Sequence, residues 1–126
     1  MIGYTTLGTN DLERAEHFYN ALFETIGVSQ MWSHNGFIAW GRNRSDPAFC
    51  ITRPFNDGEA TAGNGTMIAL RVESEEQVNA MHAKALELGG VDEGAPGPRG
   101  DNGFYGGYFR DLEGNKLNAY VPAKGF

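Results

Sequence analysis

The chain contains a single cysteine, Cys50, among its 126 residues. This count excludes an internal disulfide and a cysteine-based metal cage. Its three histidines, His17, His34 and His82, lie far apart and show no metal-ligand spacing. Basic residues are outnumbered by acidic ones, 10 to 16, which gives a net charge of −6 and a pI near 4.9. A nucleic-acid partner is therefore not expected, because phosphate binding needs a basic face.

Long apolar runs are absent as well. No stretch approaches membrane length, and the N-terminus lacks a basic region followed by an apolar run. We therefore expect a cytoplasmic protein without a membrane partner. The length and a hydrophobic content of 40% fit one compact domain over residues 1–126. The 18 glycines are scattered without a period, which is typical of tight turns between short strands.

One pattern occurs twice, 63 residues apart. A strand-like run at 4–9 leads into a helical run from Asp11 to about residue 26, and a second run at 67–72 leads into a helical run from Ser74 to about residue 88. Ser74 can cap the second helix, with Gln77 completing a capping box. Apolar residues recur at helical spacing in both runs, so each helix has one face to pack against a sheet.

Three short strand candidates follow each helical run. The Asn35-Gly36 pair between the first two is a strong hairpin signal. The order βαβββ, twice, predicts an α+β fold with module one at about 1–56 and module two at about 65–126. The candidates lie at about 29–33, 37–42 and 48–53, then at about 91–93, 105–110 and 116–121. Residues 94–103 are predicted to form a long irregular loop, and such loops tend to line sites.

Strand alternation sorts the residues into two faces. The face turned away from the helices is predicted to be half apolar, which is typical of a binding cavity. Its members are Tyr4, Thr6, Cys50, Thr52, Met67, Asn118 and Tyr120. A partner chain that simply covers this face is the alternative. Cys50 could be a nucleophile, but a buried structural cysteine is commoner.

Three stretches resemble the glyoxalase / bleomycin-resistance / dioxygenase superfamily, which has the vicinal oxygen chelate fold. They are residues 3–15 with Phe18-Tyr19 following, residues 65–70, and residues 108–117, Tyr-Phe-Arg-Asp-Leu-Glu-Gly-Asn-Lys-Leu. The resemblance implies paired βαβββ modules whose curved mixed sheet forms a U-shaped cleft, with the helices on the outer face. It also implies a homodimer.

Metal-dependent members of that family hold a divalent ion with His and Glu side chains. Aligned by motif, the four ligand positions fall on Tyr4, Thr52, Met67 and Asn118. None of these is His, Asp, Glu or Cys, so no coherent set emerges for zinc, nickel, iron or magnesium. We therefore expect neither a tightly bound metal nor another cofactor.

The leading hypothesis is a homodimer that binds a small organic molecule in its cleft, for example to sequester a toxic compound. The residues expected to bind the ligand are Tyr4, Thr6, Thr52, Met67, Arg99, Tyr108, Asn118 and Tyr120, with Tyr105 or Trp40 as further aromatic walls. Arg99 could grip an anion from its loop, although a solvated loop arginine is commoner.

Two other functions stay open. One is a metal-dependent enzyme with unusual ligands, for which a lactoylglutathione-lyase-like lyase or isomerase is the leading class. That chemistry needs a metal-bound enediolate and a general base, and the sequence offers no catalytic residue for either role. The other is a structural dimer with a filled cleft.

Overall fold

A computed structural model describes residues 1–125 and divides into two compact units, Met1–Ala62 and the part of the chain from Gly63 onward. Within the described residues, each unit has one helix and one four-stranded sheet. This confirms the α+β class and the repeated βαβββ order. Helix α2 (Glu75–Glu87) begins and ends 63 residues after helix α1 (Leu12–Glu24), so the sequence repeat is a structural one.

The sheet of the first unit contains β1 (Tyr4–Gly8), β2 (Ser29–His34), β3 (Phe37–Gly41) and β4 (Ala48–Thr52) in the order β1-β4-β3-β2. Strand β1 is parallel to β4, and the other neighbours are antiparallel. Asn35 and Gly36 connect β2 to β3, and both have positive φ, 49° and 80°. A two-residue hairpin turn needs this backbone, so the predicted hairpin is confirmed.

The second unit repeats this topology with β5 (Ile68–Arg71), β6 (Val91–Pro98), β7 (Tyr105–Arg110) and β8 (Lys116–Val121), in the order β5-β8-β7-β6. The predicted loop at 94–103 is wrong for its first half, because β6 continues to Pro98. Its pairing with β7 shifts register on both sides of Gly94. Glycine permits such bulges and an edge strand tolerates proline, so a loop-like composition here forms a strand.

Helix α1 packs an aromatic face against its sheet. Asp11 caps the helix by accepting a hydrogen bond from the Arg14 N–H at 3.0 Å. Tyr19 of the helix contacts the rings of Trp40 and Phe49, with centroids 5.6 and 4.9 Å apart. Trp40 is 1% exposed. Trp40 therefore faces α1 and not the helix-free face, which is the face of the sheet turned away from the helix. The expectation that Trp40 forms a further wall of the cavity is wrong.

Helix α2 is capped as predicted, because the Ser74 hydroxyl accepts a hydrogen bond from the Gln77 N–H. His82 lies on its buried face, and its Nε2 contacts Oδ1 of Asp92 at 3.0 Å, so this histidine is packed and has a polar partner. The Tyr105 hydroxyl donates to Asn79 of the same helix at 2.7 Å. Tyr105 therefore points to the helix side, which corrects its placement as a cavity wall.

In the described part of the chain, neither helix could span a membrane.

Candidate functional site

The helix-free face of the first sheet carries a row of side chains, one from each strand. Thr6 pairs with Cys50, Cys50 with Ala39, and Ala39 with Trp32. Cys50 is 1% exposed and Ala39 is 0% exposed, whereas Trp32 at the edge is 50% exposed. The row therefore runs from a buried apolar centre to an accessible aromatic ring.

Three aromatic rings extend this surface, and we call Tyr4, Trp32 and Phe37 the aromatic patch. Trp32 stacks on Phe37 with ring centroids 5.2 Å apart and planes 11° apart. Tyr4 meets Phe37 edge-on at 6.1 Å and 76°. Tyr4 is 65% exposed, so the patch offers open ring surface. Aromatic side chains supply much contact area with few rotatable bonds, which suits a binding surface.

The aromatic patch forms one side of a cavity of about 810 Å³. This volume lies within the range of roughly 300–1,000 Å³ that is usual for small-molecule sites. The cavity combines an apolar wall with a polar rim from the loop between β3 and β4. The other lining residues are Gly3, Met31, Arg42, Asn43, Arg44, Asp46, Ala48 and Cys50.

The rim loop is held together by Asn43. Its Oδ1 accepts hydrogen bonds from the N–H groups of Ser45 and Asp46, at 2.8 and 3.0 Å. Its Nδ2 donates to Oδ2 of Asp46 at 2.9 Å. The Asp46 carboxylate is therefore engaged inside the loop. Across residues 1–125, the guanidinium of Arg44 forms no hydrogen bond or ion pair, so it adds an unpaired positive charge to the rim.

Cys50 contributes to the cavity as an apolar wall. Burial raises the pKa of its thiol above the ordinary value of 9.0. At neutral pH the thiol is therefore protonated, and a protonated thiol is a poor nucleophile. The structural alternative weighed for this cysteine agrees with this geometry better than the nucleophile does.

The second unit places its predicted site residues on the helix-free face of its own sheet. Tyr108 pairs with Asn118, and both lie beside Tyr120, which stacks on Phe104 at 5.3 Å and 12°. Asn118 is 2% exposed, and its Nδ2 donates to the carbonyl oxygens of Gly107 and Ala119. Its amide group is thus partly committed to the protein itself.

Arg99 lies over the ring of Tyr108, 5.5 Å from the centroid. Its Nη1 donates to the carbonyl oxygen of Gly97 at 2.9 Å and its Nη2 to that of Ala95 at 2.7 Å. The guanidinium therefore folds back onto its own strand. Because two donors are already engaged by backbone carbonyls, Arg99 is less suited to holding an anion than Arg44 is.

The register brings some predicted residues together and separates others. Tyr4 pairs with Ala48, whereas Thr52 pairs with Gly8, at the opposite end of the same strand pair. Asn118 lies opposite Ala69, the residue 63 positions after Thr6, and Thr6 lies opposite Cys50. The counterpart of Asn118 in the first unit is therefore Cys50, and Thr52, which the motif alignment selected, lies two residues further along β4.

Several lining residues were missed from the sequence. Met31, Trp32 and Phe37 lie on the β2–β3 hairpin, whose alternation was not sorted into faces, and Arg42 and Arg44 lie in a loop without a motif. The signal available was the hairpin itself. With its Asn-Gly turn fixed, Trp32 and Phe37 fall on the face of Ala39.

Comparison with known proteins identifies the family. The model of the glyoxalase/bleomycin resistance protein/dioxygenase superfamily matches residues 1–119. The chain belongs to this superfamily. A glyoxalase/bleomycin resistance protein from Albidiferax ferrireducens is 34% identical, with a TM-score of 0.89 over 97% of this chain and 98% of that one. The resemblance inferred from the sequence is thereby confirmed.

More distant members of the superfamily share the fold. A lactoylglutathione lyase from Agrobacterium tumefaciens is 21% identical, with a TM-score of 0.70 over 100% of this chain and 97% of that one. A genomically encoded fosfomycin resistance protein from Listeria monocytogenes is 18% identical, with a TM-score of 0.72 over 98% and 94%. None of the curated proteins compared with the chain matches it.

The residues of this superfamily member do not fit the divalent metal of its metal-dependent relatives. Among residues 1–125, no group of three or more His, Cys, Asp or Glu side chains could hold a metal ion. At the equivalent positions, Cys50 offers a single thiol and the amide nitrogen of Asn118 donates to backbone. Zinc and similar ions need several anionic or imidazole ligands, and one thiol does not form such a set.

Proposed function

We propose that this superfamily member binds a small organic molecule on the helix-free face of its first sheet, without a tightly bound metal ion. The observation that carries the proposal is the cavity of about 810 Å³, with the aromatic patch on one side and a polar rim on the other. An apolar pocket with a few polar groups is the usual form of a small-molecule site. Sequestration of a toxic compound, the example given with the sequence-based hypothesis, is one form of this function.

The second candidate, a metal-dependent lyase, has the fold of the lactoylglutathione lyase in its favour and the donor set against it. Metal analysis separates the two. Purified protein is incubated with zinc, nickel, iron or manganese and then desalted. We expect metal far below one equivalent per chain, and stoichiometric retention of any of these ions would overturn the metal-free proposal.

Binding is tested by a thermal-shift screen of small molecules. A ligand that binds only the folded state stabilises it by about 2.7 kcal/mol at 100 times its Kd. We expect Tyr4→Ala to abolish the shift of any true ligand, because this ring forms part of the aromatic patch. Phe55→Ala is the matched control, since Phe55 is an exposed aromatic residue of the same unit that does not line the cavity. Hits that survive Tyr4→Ala would contradict the proposed site.

The predicted residues of the second unit, above all Met67 and Asn118, stay candidates for a ligand on the helix-free face of their own sheet. We further propose a cytoplasmic homodimer, on the strength of the superfamily resemblance and of exposed apolar side chains such as Met67 and Val91. Sedimentation equilibrium tests the assembly. A mass twice that of the 13.7 kDa chain is expected, and a monomer at micromolar concentration would overturn it.

A further inference from the structure

The rim of the cavity has a charge that the chain as a whole does not share. The protein carries 16 acidic and 10 basic residues, yet Arg42 and Arg44 both line this one cavity. The acidic residue between them and the strand, Asp46, has its carboxylate bound by Asn43. With two arginines and one aspartate, the lining residues carry a net charge of +1. Arg44 is the cation that has no partner among residues 1–125.

The aromatic patch, which lines the same cavity, offers flat ring surfaces. The indole of Trp32 stacks on Phe37 and is 50% exposed, so part of its ring surface is open. Tyr4 stands edge-on to Phe37 and is 65% exposed. Aromatic rings pair by offset stacking and by edge-to-face contact, and the patch offers both.

These two features select one class of ligand. We infer that the cavity binds planar aromatic carboxylates, with the ring against Trp32 and Tyr4 and the carboxylate toward Arg44. An arginine fork matches a carboxylate in two parallel hydrogen bonds, and such charge-assisted bonds are stronger than neutral ones. A cationic aromatic ligand would meet the guanidinium groups of the rim and is disfavoured. The inference rests on the proposed function and narrows its ligand.

The test compares two probes of the same shape by isothermal titration calorimetry, 2-naphthoate and its uncharged analogue 2-naphthamide. We expect the carboxylate to bind at least about tenfold more tightly, because a charged acceptor gains more from arginine than a neutral one. Raising the salt concentration from about 0.1 M to about 1 M shortens the screening length from ~10 to ~3 Å. That change should weaken the binding of 2-naphthoate and leave the binding of 2-naphthamide almost unaltered.

Three variants assign the selectivity to named groups. Arg44→Gln should give the two probes the same affinity. Trp32→Ala should weaken the binding of both probes by the same factor. Arg14→Gln is the control, since Arg14 is an exposed arginine on α1 outside the cavity, and it should keep the full difference. Arg44 is exposed, so its replacement leaves the packing of the core unchanged.

Each contrary outcome points to one claim. Equal binding of the two probes to the unaltered protein, or a preference that persists in Arg44→Gln, overturns the inference. Failure of both probes, while other compounds give shifts that depend on Tyr4, overturns the inference and leaves the proposed function standing. If no compound gives a shift that depends on Tyr4, the proposed function itself fails.

Discussion

The closing hairpin of the second unit depends on one buried carboxylate. Oδ1 of Asp111 accepts hydrogen bonds from the N–H groups of Glu113 and Asn115, both at 2.9 Å. Its Oδ2 accepts a third from Nδ2 of Asn115 at 3.0 Å. Asp111 and Asn115 are each 5% exposed. Asp111→Ala therefore removes at least these three hydrogen bonds from a place that water barely reaches.

The expected cost follows from these contacts. A hydrogen bond to a charged group contributes roughly 1.5–3 kcal/mol, and a buried donor without an acceptor costs about 1–3 kcal/mol. Because such effects overlap, we expect Asp111→Ala to lower the free energy of unfolding by about 3 kcal/mol. For a chain of this length, one kcal/mol corresponds to roughly 4 °C, so the Tm should fall by about 12 °C.

The measurement is thermal and urea unfolding followed by circular dichroism. Asp101→Ala serves as the control, because Asp101 is an exposed aspartate of the same unit, and its loss should stay within about 0.5 kcal/mol. The loss of stability in Asp111→Asn should lie between those of Asp101→Ala and Asp111→Ala, since the amide keeps one acceptor but turns a donor toward Asn115. A loss below ~1 kcal/mol for Asp111→Ala would refute the account of this hairpin.

Three further predictions concern Gly90, Cys50 and Asp92. Gly90→Ala should cost about 3 kcal/mol in urea unfolding, because its Cβ would lie 2.6 and 2.7 Å from two backbone carbonyl oxygens; wild-type stability would refute this. Cys50 should react with a thiol reagent much faster in urea than in the native protein, and rapid native labelling would contradict its burial. Hydrogen bonds from the Gly94 N–H and His82 lower the pKa of Asp92 below 3.8. The stability lost in Asp92→Asn should therefore be largest above pH 3.8 and vanish as the pH falls through the depressed pKa, and a pH-independent difference would exclude this pairing.

Periodicity and capping sufficed to predict the helices and the order of the strands. Ser74 caps α2 as predicted and Asp11 caps α1, because a side-chain oxygen that accepts from the first free N–H groups is a purely local device. The Asn35-Gly36 turn is local as well. Features that depend on a few consecutive residues could thus be predicted from the sequence.

The candidate site was harder to predict from the sequence, because it depends on pairing between distant strands. Strand β3 is apolar on both faces, so alternation could not show that Trp40 faces the helix while Phe37 faces the cavity. The choice between Cys50 and Thr52 required the register of β1 against β4, which loop lengths do not determine. Arg44 carries no motif, and only the cavity that it lines shows its position.

The most direct test of the central claim is the affinity of one ligand in the absence and presence of metal. The tightest compound whose thermal shift depends on Tyr4 is titrated calorimetrically into protein treated with a chelator, and then into protein supplemented with zinc or nickel. We predict the same Kd within about twofold in both cases, since the cavity offers aromatic and basic groups but no metal-ligand set. Binding that disappears with the chelator and returns with the metal would contradict the account.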